Sequence, residues 1–227
     1  MHESTLLLVI DTCGPTGSVA LGRSPGSPVE ILGQIELEGR SYSSTLVAAV
    51  GELLAQAGIQ LGQIDAIVAV NGPGSFTGVR VGLAAVKGLA EAAKIPVVAV
   101  SRLEVLAAKA DVQAAALDAH RHEVYLRVSG PDGQARELLA GAAELTAIDP
   151  VPQRIAVCDE AASLLLGLAW PAVELVRIAA PTAADALRLC VPRVAAGEFV
   201  DLALLDGNYL RRSDAEIFGE PDTPEHP

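Results

Sequence analysis

The densest group of chemistry-bearing residues in the sequence is Asn71-Gly-Pro-Gly-Ser-Phe-Thr-Gly-Val-Arg80, where Gly72, Pro73, Gly74, Ser75, Thr77 and Gly78 stand between an apolar run and a long helical pattern. Glycines permit a sharp turn, Pro73 fixes its own φ, and the hydroxyls of Ser75 and Thr77 fall near the first free amides of the helix. A strand, a tight loop and a helix N-terminus can hold an anion or seat a partner. They can equally be a structural connection, which is the reading local rules favour. Enzymatic loops fail on spacing. A Walker loop requires Gly-Lys-Ser/Thr, but Gly78 is followed by Val79 and Arg80. A dinucleotide fingerprint requires G-x-G-x-x-G in the first βαβ unit, whereas Gly72, Gly74 and Gly78 read G-x-G-x-x-x-G well past the first strand. A nucleophile elbow requires glycines where Pro73 and Thr77 flank Ser75, so Ser75 reads as a helix cap.

Asp11 ends the first apolar run and opens the turn Asp11-Thr-Cys-Gly-Pro-Thr-Gly17. Asp11 and Thr12 are the candidate cofactor-binding residues, with Asp11 as a catalytic or magnesium carboxylate and the turn wrapping a phosphate. The competing and favoured reading is a turn aspartate that accepts backbone amides. His120 and His122 would share one side of a strand, as a metal pair does. The surrounding Asp118-Ala-His-Arg-His-Glu123 reads instead as a solvated hairpin tip with no third ligand at a telling spacing. His2 and His226 lie at the ends of the sequence. Cys13, Cys158 and Cys190 are widely spaced with no C-x-x-C, and read as reduced thiols. The residues point to no metal site and no catalytic group.

The elements that position these residues follow from hydrophobic periodicity. Residues 6–10 form an apolar run of strand length, 18–22 a returning antiparallel strand and 29–37 a third strand after a Ser-Pro-Gly loop. Leu46, Val47, Val50, Leu53, Leu54 and Ala57 recur at helical spacing up to Gly58. Residues 66–70 form the strand that feeds the glycine loop, and a helix follows over 79–93 with Pro96 as a stop. Its larger residues, Val79, Leu83, Val86 and Leu89, make one apolar face. Val81, Ala85, Gly88 and Ala92 make a second, nearly smooth one, so the helix is expected to be buried twice. Further strands are expected at 97–100, 113–118, 124–128 and 155–158, and helices at 103–110, 161–168 and from Pro181-Thr182 to Val194, with a turn at Pro131-Asp132-Gly133. From Glu216 onward the chain is acidic and rich in proline, as a frayed tail is.

Composition bounds the function. The chain has 227 residues, 51% of them hydrophobic and only 3% aromatic, so a core of small aliphatic groups is expected. The formal net charge of -12 repels phosphate backbones and argues against solitary nucleic-acid binding. The N-terminus has no basic n-region and the first apolar run is too short for a membrane span, so a cytoplasmic address is expected.

Leu8-Val-Ile-Asp-Thr12, the glycine loop, Gly82-Leu-Ala-Ala-Val-Lys-Gly-Leu89, Ile95-Pro-Val-Val-Ala-Val-Ser-Arg-Leu-Glu104, the segment from Asp118 to Tyr125 and Tyr209-Leu-Arg211 follow in one order. In these motifs the sequence resembles the TsaB (YeaZ) family of bacterial threonylcarbamoyladenosine-biosynthesis subunits over nearly its whole length. The resemblance implies an α/β, actin-like and sugar-kinase-like (ribonuclease H-like) fold with two lobes, the second reduced. The lobes are placed at 1–101 and 102–195, with a C-terminal segment over 196–227 that helps complete the first. It also implies a non-catalytic paralogue of TsaD, the subunit that adds threonylcarbamoyl to an adenosine of transfer RNAs reading codons that begin with adenine. TsaD carries an H-x-x-x-H metal pair at the places where this chain has Arg102 and Leu106. Relatives carry His-Ser-Glu before the first long helix, where this chain has Ser41-Tyr-Ser-Ser44.

The partners implied are TsaD and TsaE, a homodimer in isolation, and transfer RNA only through the complex, with no membrane. The chain is expected to have no cofactor of its own, with ATP or ADP at the interface with TsaD. The expected partner surface comprises Leu46, Val50, Leu53, Val81, Gly82, Ala85, Gly88 and Ala92, packed as a four-helix bundle with the partner's counterparts. An independent ATP-dependent phosphotransferase, or a glycoprotease-like hydrolase of the same fold, is the alternative.

Overall fold

The structure is a computed structural model and describes residues 4–24, 29–130 and 132–211. The Ser-Pro-Gly loop beyond Ser24, Pro131, both terminal histidines and the acidic tail lie outside the described residues.

The first lobe begins with β1 (Thr5–Asp11), β2 (Thr16–Ser24) and β3 (Glu30–Glu38), a meander in which neighbours pair antiparallel. α1 (Tyr42–Ala57) leads to β4 (Ala66–Val70), α2 (Phe76–Ala93) leads to β5 (Val97–Val100), and these two strands join parallel to β1 in the sheet order β3-β2-β1-β4-β5. β1 is an uninterrupted apolar run because both of its faces are covered: Leu7, Leu8 and Val9 are fully buried.

The second lobe repeats this path. α3 (Arg102–Lys109) precedes β6 (Ala114–Asp118), β7 (Val124–Ser129) and β8 (Ala135–Ala140); α4 (Ala142–Thr146), β9 (Arg154–Val157), α5 (Glu160–Ala169), β10 (Glu174–Arg177) and α6 (Ala183–Ala195) follow. Its sheet order, β10-β9-β6-β7-β8, is the first sheet's order in mirror listing, with the same antiparallel meander and parallel pair. Two lobes of this topology are the actin-like, ribonuclease H-like α/β fold that the resemblance implied. The second lobe keeps all five strands. Its reduction lies in length, with helices of 5 and 10 residues where the first lobe has 16 and 18.

The closing helix of each lobe packs on the other lobe. α3 lies against β6, β7 and β9, while α6 lies against β1, β2, β4 and β5. This corrects the lobe limits drawn from the sequence, which placed α6 in the second lobe: the helix covers the first sheet. Its N-terminus is fixed there by the Ser18 hydroxyl, which accepts from the Ala183 amide at 2.8 Å, and Lys109 of α3 pairs with Asp185 of α6 at 2.8 Å.

Three elements had no clear sequence signal. β8 and β10 carry charges instead of clear alternation, and cross-strand ion pairs, Arg127 with Glu137 at 2.9 Å and Arg154 with Glu174 at 3.2 Å, join the apolar contacts of Leu138, Ala140 and Leu175. α4 is a single short turn of helix. α1 starts at Tyr42, so the polar segment before Leu46 is its first turn, and it ends as expected at Gly58 in the left-handed region (φ 66°).

Candidate functional site

The end of β1 is closed. Asp11 is buried, and its Oδ1 accepts the Cys13 amide at 2.9 Å, the turn role expected of it. Its Oδ2 faces Arg102 Nε at 3.4 Å, and Arg102, the first residue of α3, is only 5% exposed. The Arg102 amide donates to Gly72 O at 2.6 Å, so the same residue ties the glycine loop to the start of α3. The guanidinium fills the turn after β1: a Cβ on Gly14 would stand 2.4 Å from Arg102 Nη2. Tyr42 closes the other side, donating its hydroxyl to Gly14 O at 2.8 Å.

Charge follows geometry. Burial alone would lower the Arg102 pKa, but the Asp11 carboxylate and the neighbouring Cys13 more than reverse this and raise it. Burial, reinforced by Asp11, pushes the Cys13 thiol well above its usual range, and its Sγ donates to Val70 O at 3.2 Å. The Tyr42 phenol is pushed up to about 12 by burial and then by Asp11. A guanidinium cannot ligate a metal, and a buried protonated thiol is not a nucleophile. Thr12, the other cofactor candidate, is buried and donates to Gly78 O at 2.7 Å, so neither candidate side chain is open to a ligand in this arrangement.

The glycine loop seals the same region from the other side. A Cβ on Gly74 would lie 2.1 Å from Cys13 O, and one on Gly78 would lie 2.1 Å from Thr12 O. These glycines are needed because the loop backbone runs against the end of β1. Ser75 Oγ accepts the Gly78 amide at 3.3 Å and caps α2; Thr77 is exposed on its first turn, and Pro73 is buried. The histidines separate from this region: His120 Nδ1 sits 3.0 Å from Asp118 Oδ2, on an exposed turn with His122. Among the described residues no group of three or more His, Cys, Asp or Glu is placed to hold a metal ion.

The expected partner surface divides. Leu46, Val50 and Leu53 are 1–2% exposed and belong to the core, which corrects their assignment to an interface. Gly82 is corrected likewise, since its added Cβ would stand 2.3 Å from Thr12 Oγ1, against β1. Val81 and Ala85 are half-buried, while Gly88 and Ala92 are exposed. The sequence reading missed the rest of this surface: Val47, 63% exposed, with Ala48, Gly51 and Ala55 on α1, and Ala84 on α2. The signal was present as the row Val47, Gly51, Ala55, one position on from Leu46 and Val50. Large residues went to the sheet and small ones to the outside. Open space surrounds both Gly51 and Gly88.

Glu137 on β8 joins the lobes and was not foreseen. Its Oε2 accepts from Ser101 Oγ at 2.7 Å and from Asn208 Nδ2 at 2.6 Å, and its Oε1 from Arg127 Nη1 at 2.9 Å. The Asn208 amide in turn donates to Asn71 O at 2.7 Å, so the C-terminal segment is sewn to the end of β4.

Fold and site together define an actin-like, two-lobed protein whose β1 carboxylate is neutralised from within and whose first lobe exposes a two-helix face of small residues. Residues 33–147 match the family described as tRNA N6-adenosine threonylcarbamoyltransferase, TsaD. The chain is 38% identical over 129 residues to the tRNA threonylcarbamoyladenosine biosynthesis protein TsaB of Haemophilus influenzae, covering 54% of this chain and 53% of that one. It is 33% identical to a tRNA N6-adenosine threonylcarbamoyltransferase of Novosphingobium aromaticivorans, over 82% of this chain and 53% of that protein. The chain thus spans about half the length of these curated relatives. The solved structure of YeaZ from Pseudomonas aeruginosa superposes with a TM-score of 0.71 at 30% identity, over 91% of this chain and all of that one. The chain belongs to the TsaD family of threonylcarbamoyladenosine biosynthesis, in its TsaB (YeaZ) branch.

Proposed function

We propose that the chain is a non-catalytic scaffold that pairs with TsaD, and with TsaE, in forming the threonylcarbamoyl group on transfer RNA in the cytoplasm. The observation that carries this reading is the exposed face of α1 and α2. Val47, Ala48, Gly51 and Ala55 on α1 and Ala84, Gly88 and Ala92 on α2 are all exposed, and small residues let further helices approach closely. The same face would serve a homodimer, in competition with TsaD. ATP or ADP at the TsaD interface belongs to the same proposal, and transfer RNA would be held through the complex. The Asp11–Arg102 pair supports the non-catalytic part, because it occupies the carboxylate that an independent phosphotransferase or hydrolase of this fold would use. Among the described residues no helix is long and apolar enough to cross a membrane.

The test is co-purification with TsaD of the same organism, with modified transfer RNA assayed with and without this chain. Gly88→Arg is the informative variant: nothing lies within 4 Å of an added Cβ, so the lobe tolerates it. Loss of TsaD pairing with a melting temperature that does not fall is expected, since arginine has the better helix propensity. Retained pairing by this variant and by Gly51→Arg would refute the assignment of the face.

A further inference from the structure

A cavity of about 480 Å³ opens between the lobes, walled by three distant stretches of chain: the first turn of α2 with Phe76, the β6–β7 turn with His120 and Arg121, and the C-terminal segment with Tyr209 and Arg211. Its lining departs from the rest of the molecule in two ways. The chain has only 3 Phe, 1 Trp and 3 Tyr, yet Phe76, Tyr125 and Tyr209 all face this cavity. The chain also has 28 acidic residues and a net charge of -12, yet among the described residues no Asp or Glu lines it. Two of the lining residues are paired with carboxylates outside that lining, Arg211 with Glu123 and His120 with Asp118.

The aromatic groups are arranged as a platform. The rings of Phe76 and Tyr209 have centroids 5.2 Å apart at 48°, and the Arg80 guanidinium carbon lies 3.8 Å from the Phe76 centroid. Both rings remain more than a third exposed. The facing turn holds His120, Arg121 and His122 in succession at φ 60°, 56° and 61°. Side-chain-bearing residues rarely adopt this left-handed conformation, and such backbone concentrates at binding sites.

We infer that this cavity receives one unpaired nucleotide of an RNA strand, its base against the Tyr209–Phe76 platform and its phosphate toward Arg121. The volume is that of a small-molecule site. Aromatic and guanidinium faces stack any base, and a guanidinium matches phosphate geometry. A paired base cannot reach such a platform because both of its faces are already stacked. The acidic exterior repels a longer backbone, which confines the interaction to the cavity. The cavity chemistry by itself specifies an unpaired nucleotide; the choice of RNA rests on the proposed role in transfer-RNA modification.

The test titrates the full chain into a short fluorescein-labelled oligoadenylate RNA at about 0.15 M salt, where repulsion from the acidic exterior is screened, and reads anisotropy. Saturable binding is expected, absent for the same strand annealed to oligouridylate, and weakened about tenfold by Tyr209→Ala, the loss typical of one base-stacking ring. Arg121→Glu should weaken it comparably in a chain whose circular dichroism shows it folded, and both variants should still co-purify with TsaD. No saturable binding, equal binding of the duplex, or binding undiminished by both variants would overturn the inference. So would an acidic tyrosine-containing peptide that binds the cavity when the RNA does not. None of these results bears on TsaD pairing, which the Gly88→Arg experiment decides separately.

Discussion

Replacing Arg102 by Met is the sharpest probe of how the end of β1 is closed. Methionine preserves much of the apolar stem but removes the charge, leaving Asp11 2% exposed with the Cys13 amide as its remaining polar partner. Stranding one member of a buried ion pair costs about 3–5 kcal/mol, a large part of the roughly 5–15 kcal/mol that holds a domain folded. For a chain of this size that corresponds to a fall in melting temperature of roughly 6–20 °C. The double variant Asp11→Asn/Arg102→Met removes both charges and keeps an acceptor for the Cys13 amide, so it should recover most of the loss. Urea unfolding followed by circular dichroism gives the four corners of the cycle. A single variant that costs less than about 1 kcal/mol would refute the account, because that is the scale of an exposed pair. So would a double variant no more stable than Arg102→Met. Either outcome would return Asp11 to the ligand-binding candidates.

Four further outcomes rest on the geometry. Within α2, Gly78→Ala should destabilise by about 1–3 kcal/mol because its Cβ meets Thr12 O at 2.1 Å. Gly88→Ala, in open space, should stabilise by about 1 kcal/mol from helix propensity alone, both measurable by thermal melts. Asp185, although burial opposes its ionisation, is held below the usual carboxylate range by Lys109 and Thr182. Its contribution is therefore present above about pH 4 and lost as pH falls through the lowered folded value, and Asp185→Asn should flatten the acid limb of the stability curve. Tyr42 is raised to about 12, so its contribution holds below about pH 10 and fades as pH rises toward that value. Tyr42→Phe should cost about 1 kcal/mol at neutral pH for the hydrogen bond to Gly14 and remove a phenolate signal that rises only toward pH 12, to about which Tyr42 is raised, in an ultraviolet titration.

The alternation of apolar runs, caps and turns was local, and it determined most of the elements: the opening meander, the two long helices, the glycine stop at Gly58 and the serine cap at Ser75. The glycine loop was legible as a close approach of backbone to backbone, although its partner, the end of β1, was not. β8 and β10 were lost because ion pairs across the sheet replaced the apolar periodicity that local rules detect. The motif order was enough to place the chain in its family. The sequence could not determine which of two apolar rows on a helix meets its own sheet. Leu46, Val50 and Leu53 therefore passed for surface, while Val47 and Gly51, the exposed row, passed unnoticed. Nor could it pair Asp11 with Arg102, separated by 91 residues, or gather three of its few aromatics into one cavity. Periodicity records how a segment faces its neighbours in the chain. Which distant charge or ring completes a site depends on the crossing of α3 and α6 between lobes, and that exists only once both sheets have formed.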